Sequence, residues 1–296
     1  MADPAPQHAH AVMHCNLNTA DLTAAEEFYR VVAGREPRFR SVGVDQDATM
    51  MGLSESTSSV TAFVWDERGP RAAPALELVG WTDPFTVPAG SEERAGFSAI
   101  GYRVPDLAAA TPALEELGGS VVGQLEFRGQ VVPAVVLTDP DGVRVEVVEV
   151  GTSELDDSGP ALAYERIQVT DLERSLEWYA SIGFEKRYVG AGSASIALPE
   201  DPTFSLEFTE VPELSPSPSR ANEQGLYRIA LAVEDVTEAG AALQARDPST
   251  PDPVFIPMGD TPTGGYTVLF LTDPDGTVVE LVSRPRAEVR RPTTPI

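Results

Sequence analysis

The hexapeptide Leu-Thr-Asp-Pro-Asp-Gly occurs twice, at Leu137 to Gly142 and at Leu271 to Gly276, and each copy runs into an alternating apolar strand that carries one glutamate. Such an exact internal repeat, 134 residues apart in a chain of 296, restricts the fold to one assembled from copies of a module. Asp139-Pro140-Asp141-Gly142 has the residues of a type I turn, with Asp at the first position, Pro fixing φ at the second and Gly at the last. Beyond it Val143, Val145 and Val147 alternate with Arg144, Glu146 and Val148, and the second copy repeats the pattern around Glu280. Glu146 and Glu280 are therefore expected on the sheet face turned away from the apolar packing.

Four copies of one plan can be overlaid. The first opens with a strand around Met13 to Asn18, then Asp21-Leu22 and a helix through Glu27-Phe28-Tyr29. The third reads Tyr164 to Val169, Asp171-Leu172, Glu177-Trp178-Tyr179; the second and fourth carry Asp106-Leu107 and Asp235-Val236 after their opening strands. Each Asp is expected to cap its helix, and in the first and third copies Ala24 and Arg174 stand where the reciprocal Glu or Gln of a capping box would be. The spacing predicts an α+β fold of four βαβββ modules, paired into two strongly curved, mostly antiparallel sheets with flanking helices.

Breaks rich in Pro, Gly and polar residues fall at Asp83 to Arg94, Gly151 to Pro160 and Pro212 to Gln224. They divide the chain into residues 1–152, with modules at about 10–82 and 95–150, and residues 153–296, with modules at about 162–212 and 224–284. The segment after Arg284 is expected to be disordered.

Composition excludes several classes of function. The net charge of -25 would repel phosphate backbones and anionic lipid, so neither nucleic acid nor membrane is expected as a partner. No run approaches the roughly 20 apolar residues of a membrane span, and residues 1–10 have no signal-peptide pattern. A cytoplasmic monomer or homodimer acting on a small molecule is the expectation. Cys15 is the only cysteine, which excludes an internal disulfide and any cysteine-rich metal site.

The strand-Asp-Leu-helix-aromatic openings and the Asp-Pro-Asp-Gly-strand-Glu endings, over about Met13 to Ser283, resemble the vicinal oxygen chelate superfamily of glyoxalase I, extradiol dioxygenases and bleomycin-type resistance proteins. The resemblance implies that adjacent modules, one with two and three with four, curl into one cup each. It also implies two functional positions per module: one on the first strand, seven residues before the Asp, and a Glu on the last strand.

Carried over residue by residue, these positions are His14, Glu77, Ala99 and Glu146 in the first half, and Tyr164, Glu207, Arg228 and Glu280 in the second. The resemblance thus implies His14, Glu77 and Glu146 as catalytic residues and ligands of a divalent Fe, Mn, Ni or Zn, with Ala99 standing where a histidine is usual. Ala99, Gly101, Arg103, Tyr164 and Arg228 are the substrate-contact candidates. The small residues Ala99, Gly101, Ala230 and Ala232 would leave room for a ligand. Arg228 is expected to replace a metal by bridging Glu207 and Glu280; the alternative is that Arg228, Arg166 and Tyr164 bind an anion.

Bland readings stand beside these. A strand histidine such as His14 is commonly structural, and Glu146 and Glu280 could be solvated. Cys15 should face the core, and His8 and His10 should be solvated. Trp65, Trp81 and Phe127 either line a pocket or pack in the core. Three functions remain open: metal-assisted lyase, isomerase or oxygenase chemistry on vicinal oxygens; metal-free acid-base catalysis in secondary metabolism; and sequestration of an antibiotic-like small molecule.

Overall fold

The computed structural model describes residues 8–150, 159–216, 220–258 and 264–292. Module one comprises β1 (Ala11–Asn18), α1 (Leu22–Val32), β2 (Phe39–Gln46), β3 (Thr57–Trp65) and β4 (Ala75–Asp83). Module two comprises β5 (Gly96–Val104), α2 (Leu107–Glu116), β6 (Ser120–Phe127), β7 (Gln130–Thr138) and β8 (Arg144–Glu149). Module three has β9 (Ala161–Val169), α3 (Leu172–Ser181), β10 (Glu185–Val189), β11 (Ser193–Leu198) and β12 (Asp201–Glu210). Module four has β13 (Gly225–Val233), α4 (Val236–Gln244), β14 (Val254–Pro257), β15 (Gly265–Thr272) and β16 (Val278–Ser283). The α+β plan of four βαβββ modules in two mixed sheets is therefore present.

All four helices begin as the sequence predicts. Asp21, Asp106, Asp171 and Asp235 sit in extended backbone and accept from the amides of Ala24, Ala109, Arg174 and Glu238, satisfying a donor that the first turn leaves free. Each helix then buries one face, in α1 Ala25, Phe28, Tyr29 and Val32.

The pairing of modules differs from the expectation. One sheet runs β14-β15-β16-β13-β1-β4-β3-β2 and the other β10-β11-β12-β9-β5-β8-β7-β6, so module one pairs with four and module two with three. The seams are the antiparallel pairs of β1 with β13 and of β5 with β9. In every module the first strand lies parallel to the last, leaving one edge of the first strand open. Four near-equivalent open edges carry no label saying which copy to join, so local pattern could not select the partner.

The repeated turns help to hold the two sheets together. The Asp139 carboxylate accepts from the amides of Asp141 and Val143, and its Oδ2 accepts from Tyr29 Oη at 2.8 Å. In the other copy Asp273 accepts from the amides of Asp275 and Thr277 and from Tyr179 Oη at 3.3 Å. Each turn thus meets the helix tyrosine of the preceding module, which belongs to the opposite sheet. Burial pushes the Asp139 carboxyl up to about 6 despite these bonds, so its ionisation subtracts stability as pH rises from about 4 to 6. One continuous core, including Leu76, Leu78, Val145, Val147, Leu206 and Leu281, joins the apolar faces of both sheets to the helices. Cys15 lies in it, fully buried, as expected.

Two expectations about the termini are corrected. The chain after Arg284 makes a 3-10 turn at Arg286–Glu288, its Arg290 amide donates to Arg71 O at 2.7 Å, and buried Arg291 pairs with buried Asp201 at 2.8 Å. That carboxylate supplies the order that composition did not suggest. Residues 293–296 lie outside the described set. His10 is buried rather than solvated, its Nε2 2.9 Å from Arg284 O, and burial, with Arg286 nearby, lowers its pKa. No described helix is long and apolar enough to cross a membrane.

Candidate functional site

Along β4, Leu76 and Leu78 enter the core while Glu77 faces the hollow of the sheet, as alternation requires. The strand register then places chemistry in adjacent rows. Asn16 of β1 stands beside Glu77 of β4 on one side and Arg228 of β13 on the other. His14, one step along, faces Ala230, which in turn faces Glu280 of β16. Small Ala230 between two long polar residues leaves space for their heads to converge.

They do converge. Arg228 donates through Nε to Glu280 Oε2 at 2.7 Å and through Nη2 to Glu77 Oε2 at 2.8 Å. Asn16 Nδ2 donates to the same Glu77 oxygen at 3.0 Å. His14 Nε2 is 3.3 Å from Glu77 Oε2 and 3.8 Å from Glu280 Oε2, yet makes no hydrogen bond among the described residues. Burial opposes charge on Arg228, but Glu77 and Glu280 outweigh it and raise the guanidinium pKa further. Burial would likewise raise the Glu280 carboxyl; Arg228, with His14, instead draws it down to about 2.

Glu280 contributes stability above its ordinary value of 4.5, and the contribution disappears as pH falls from 4.5 towards 2. Its full size is about 3 kcal/mol. Urea midpoints of wild type and Glu280→Gln should therefore converge across this window; parallel curves would show that the pair adds nothing.

Above the cluster opens a cavity of about 580 Å³. In the row of Glu77 the next strands contribute Phe63 and Phe39, and directly across from Glu280 stands Phe270. Phe63 stacks on Trp65 with ring centroids 5.6 Å apart, and His14 meets the Phe63 ring edge-on at 5.8 Å. Trp81 and Tyr266 add further aromatic wall, and Met13, Met51 and Met258 add thioethers. Trp65 and Trp81 thus line a pocket, as one of their two sequence readings allowed. Asn16, Phe63 and Phe270 were not singled out from sequence, although Asn16 follows His14 at the period of two that puts both on one face.

The other predicted residues lie elsewhere. Ala99, Gly101, Arg103, Glu146 and Tyr164 belong to the second sheet, so the set His14, Glu77 and Glu146 does not assemble at one point. Arg228 bridges two carboxylates as expected, but its partner is Glu77 rather than Glu207, because module four pairs with one. The alternative anion site of Arg228, Arg166 and Tyr164 is likewise divided between the sheets.

In the second hollow, Glu146 Oε2 accepts from Tyr164 Oη at 2.8 Å and Arg166 Nε at 2.6 Å, and its Oε1 accepts from Arg144 Nε at 2.7 Å. Glu207 accepts from Ser195 and Ser205 hydroxyls, both at 2.7 Å, and from the Arg128 amide. Phe127 packs against the Tyr164 ring at 4.6 Å, taking the core reading instead of the pocket one. Gly101 leaves no ligand room here, since the Tyr164 ring fills it: a Cβ on residue 101 would lie 2.1 Å from that ring. Gly101→Ala should therefore destabilise the protein by about 1–3 kcal/mol, read as a lower urea midpoint; an unchanged midpoint would mean that Tyr164 swings aside freely.

The residues of the first hollow do not fit a metal ion. Its central cationic place is taken by Arg228, whose fork already spans the two carboxylates, leaving one imidazole as the remaining strong donor. Among the described residues no group of three His, Cys, Asp or Glu side chains has metal-binding geometry.

Comparisons with known proteins agree with this architecture. The chain is similar in fold to glyoxalase I from Zea mays (18% identity, TM-score 0.62, covering 94% of this chain and 92% of that one). It is also similar to a putative dioxygenase from Bacillus subtilis subsp. subtilis str. 168 (13% identity, TM-score 0.65, covering 96% and 92%). Comparison with curated protein sequences gives no match. Residues 11–147 and 161–281 match the family described as Glyoxalase/Bleomycin resistance protein/Dioxygenase superfamily, and with both repeats matched the chain belongs to that superfamily.

Proposed function

We propose that the hollow formed by modules one and four binds a small organic molecule with a flat apolar body, and that His14 moves a proton to or from it without a metal. The supporting observation is the Arg228 bridge between Glu77 and Glu280 beside an imidazole whose Nε2 lies near both carboxylates yet makes no hydrogen bond among the described residues. A fixed guanidinium removes the coordination centre but holds both carboxylates in place, and Glu77 Oε2, 3.3 Å from His14 Nε2, stands close enough to stabilise an imidazolium as it forms. Phe63 and Trp65 would hold an aromatic substrate face-on beside that nitrogen. The reading favours metal-free acid-base catalysis, such as an isomerisation or elimination, over the chelate mechanism in which Fe, Mn, Ni or Zn is bound. Cytoplasmic placement belongs to the same proposal and rests on composition, with Cys15 a free buried thiol.

The test is exchange of α-protons of aryl ketones into deuterated water, followed by NMR in the presence of EDTA. Wild type should accelerate exchange and His14→Ala should lose on the order of 10²–10⁴-fold. Exchange that requires an added divalent metal would overturn the proposal. A second reading, sequestration, is favoured by the aromatic and methionine lining; stoichiometric binding of such ketones with no exchange would select it.

A further inference from the structure

The charge balance at the floor of the cavity restricts the ligand further. Two carboxylates face one guanidinium, and Arg228 engages only the Oε2 atom of each. With the imidazole neutral the four side chains carry one net negative charge, and His14 Nε2 is a buried atom with no hydrogen-bond partner among the described residues. Aromatic rings stand on both sides: Phe63 in the row of Glu77, and Phe270 across from Glu280 with its ring centroid 6.0 Å from the Arg228 Cζ. Ring faces present negative potential and tolerate a neighbouring cation. They offer nothing to an anion.

We infer that the ligand carries a positively charged nitrogen, such as a protonated amine, beside its flat apolar body, and that this nitrogen docks between Glu77, Glu280 and His14. The inference rests on the proposed function in taking this cavity as the ligand site, and adds the class of ligand. An ammonium there brings the floor to neutrality, donates to carboxylate oxygens that Arg228 leaves unused, and donates to the imidazole nitrogen. A carboxylate or phosphate in the same place would add to an excess of negative charge under low dielectric.

Two other arginines line the cavity, and they do not reverse the balance. Arg284 lies four residues beyond Glu280, about 13 Å along an extended chain, and already faces Glu288 at 3.0 Å. Arg38 adjoins Phe39, whose strand is two strand spacings, about 10 Å, from Glu77. Asp47 also lines the cavity. These charges act on the far parts of a ligand, while the floor acts on its head.

Three isosteric probes separate the alternatives by titration calorimetry at pH 7: 1-naphthylmethylammonium, 1-naphthalenemethanol and 1-naphthoate. The ammonium should bind about tenfold or more tightly than the alcohol, with the carboxylate weakest, and Glu280→Gln should narrow the gap. Because the comparison among probes uses the wild-type protein, it does not depend on the variant folding. Equal affinities, or a preference for naphthoate, would overturn the cationic assignment while keeping the cavity as a ligand site. Binding of none of the three would overturn both.

Discussion

Replacing Arg228 by alanine is expected to lower the stability of the folded protein by about 3–5 kcal/mol. The variant leaves the Glu77 and Glu280 carboxylates buried near one another with their shared counter-charge gone. It also removes a tie across the β1–β13 seam, since Arg228 and Glu280 belong to module four and Glu77 to module one. Urea unfolding at pH 7 measures the effect. Adding Glu77→Gln and Glu280→Gln to Arg228→Ala should restore much of the loss, because the penalty comes from unpaired charge more than from lost contact. A loss under 1 kcal/mol, about the worth of an exposed pair, would show that the three groups are effectively solvated and the bridge is incidental.

Asp139→Ala should cost about 3 kcal/mol or more, through a different part of the fold. The substitution leaves the Asp141 and Val143 amides and the buried Tyr29 hydroxyl without their acceptor. Because Tyr29 and Asp139 belong to modules of opposite sheets, the loss should appear as one cooperative transition at lower denaturant, not as separate melting of one half. Tyr29→Phe removes only the hydroxyl donor and should cost less, about 1 kcal/mol. Equal effects of the two variants would place the energy in the inter-sheet bond alone and contradict the role of Asp139 in ordering its own turn.

Features of the fold that depend on near neighbours in sequence were legible. Asp21, Asp106, Asp171 and Asp235 cap because a carboxylate three residues before a free amide can reach it, and the two Asp-Pro-Asp-Gly turns close with Gly142 and Gly276 at φ 86 and 88. Alternation likewise put Leu76 and Leu78 in the core and Glu77 in the hollow. The pairing of modules was not legible, since it depends on which of four similar strand edges meet. That single non-local choice moved Glu146 away from His14, replaced Glu207 by Glu77 as the partner of Arg228, and gave Ala99 and Gly101 to a hollow filled by Tyr164. The tail was misread for a related reason: the buried partner of Arg291 is Asp201, 90 residues distant in the chain.

If Arg228 stands in the place of a metal ion, the metal content of wild type beside Arg228→His reveals it. Both proteins are incubated with Ni(II), Zn(II) or Mn(II), desalted and measured by plasma mass spectrometry. Wild type should retain none of these metals, while the variant, with His14, Glu77, His at position 228 and Glu280 as its donor set, should retain one stoichiometrically. Stoichiometric metal in wild type, lost on His14→Ala, would contradict it.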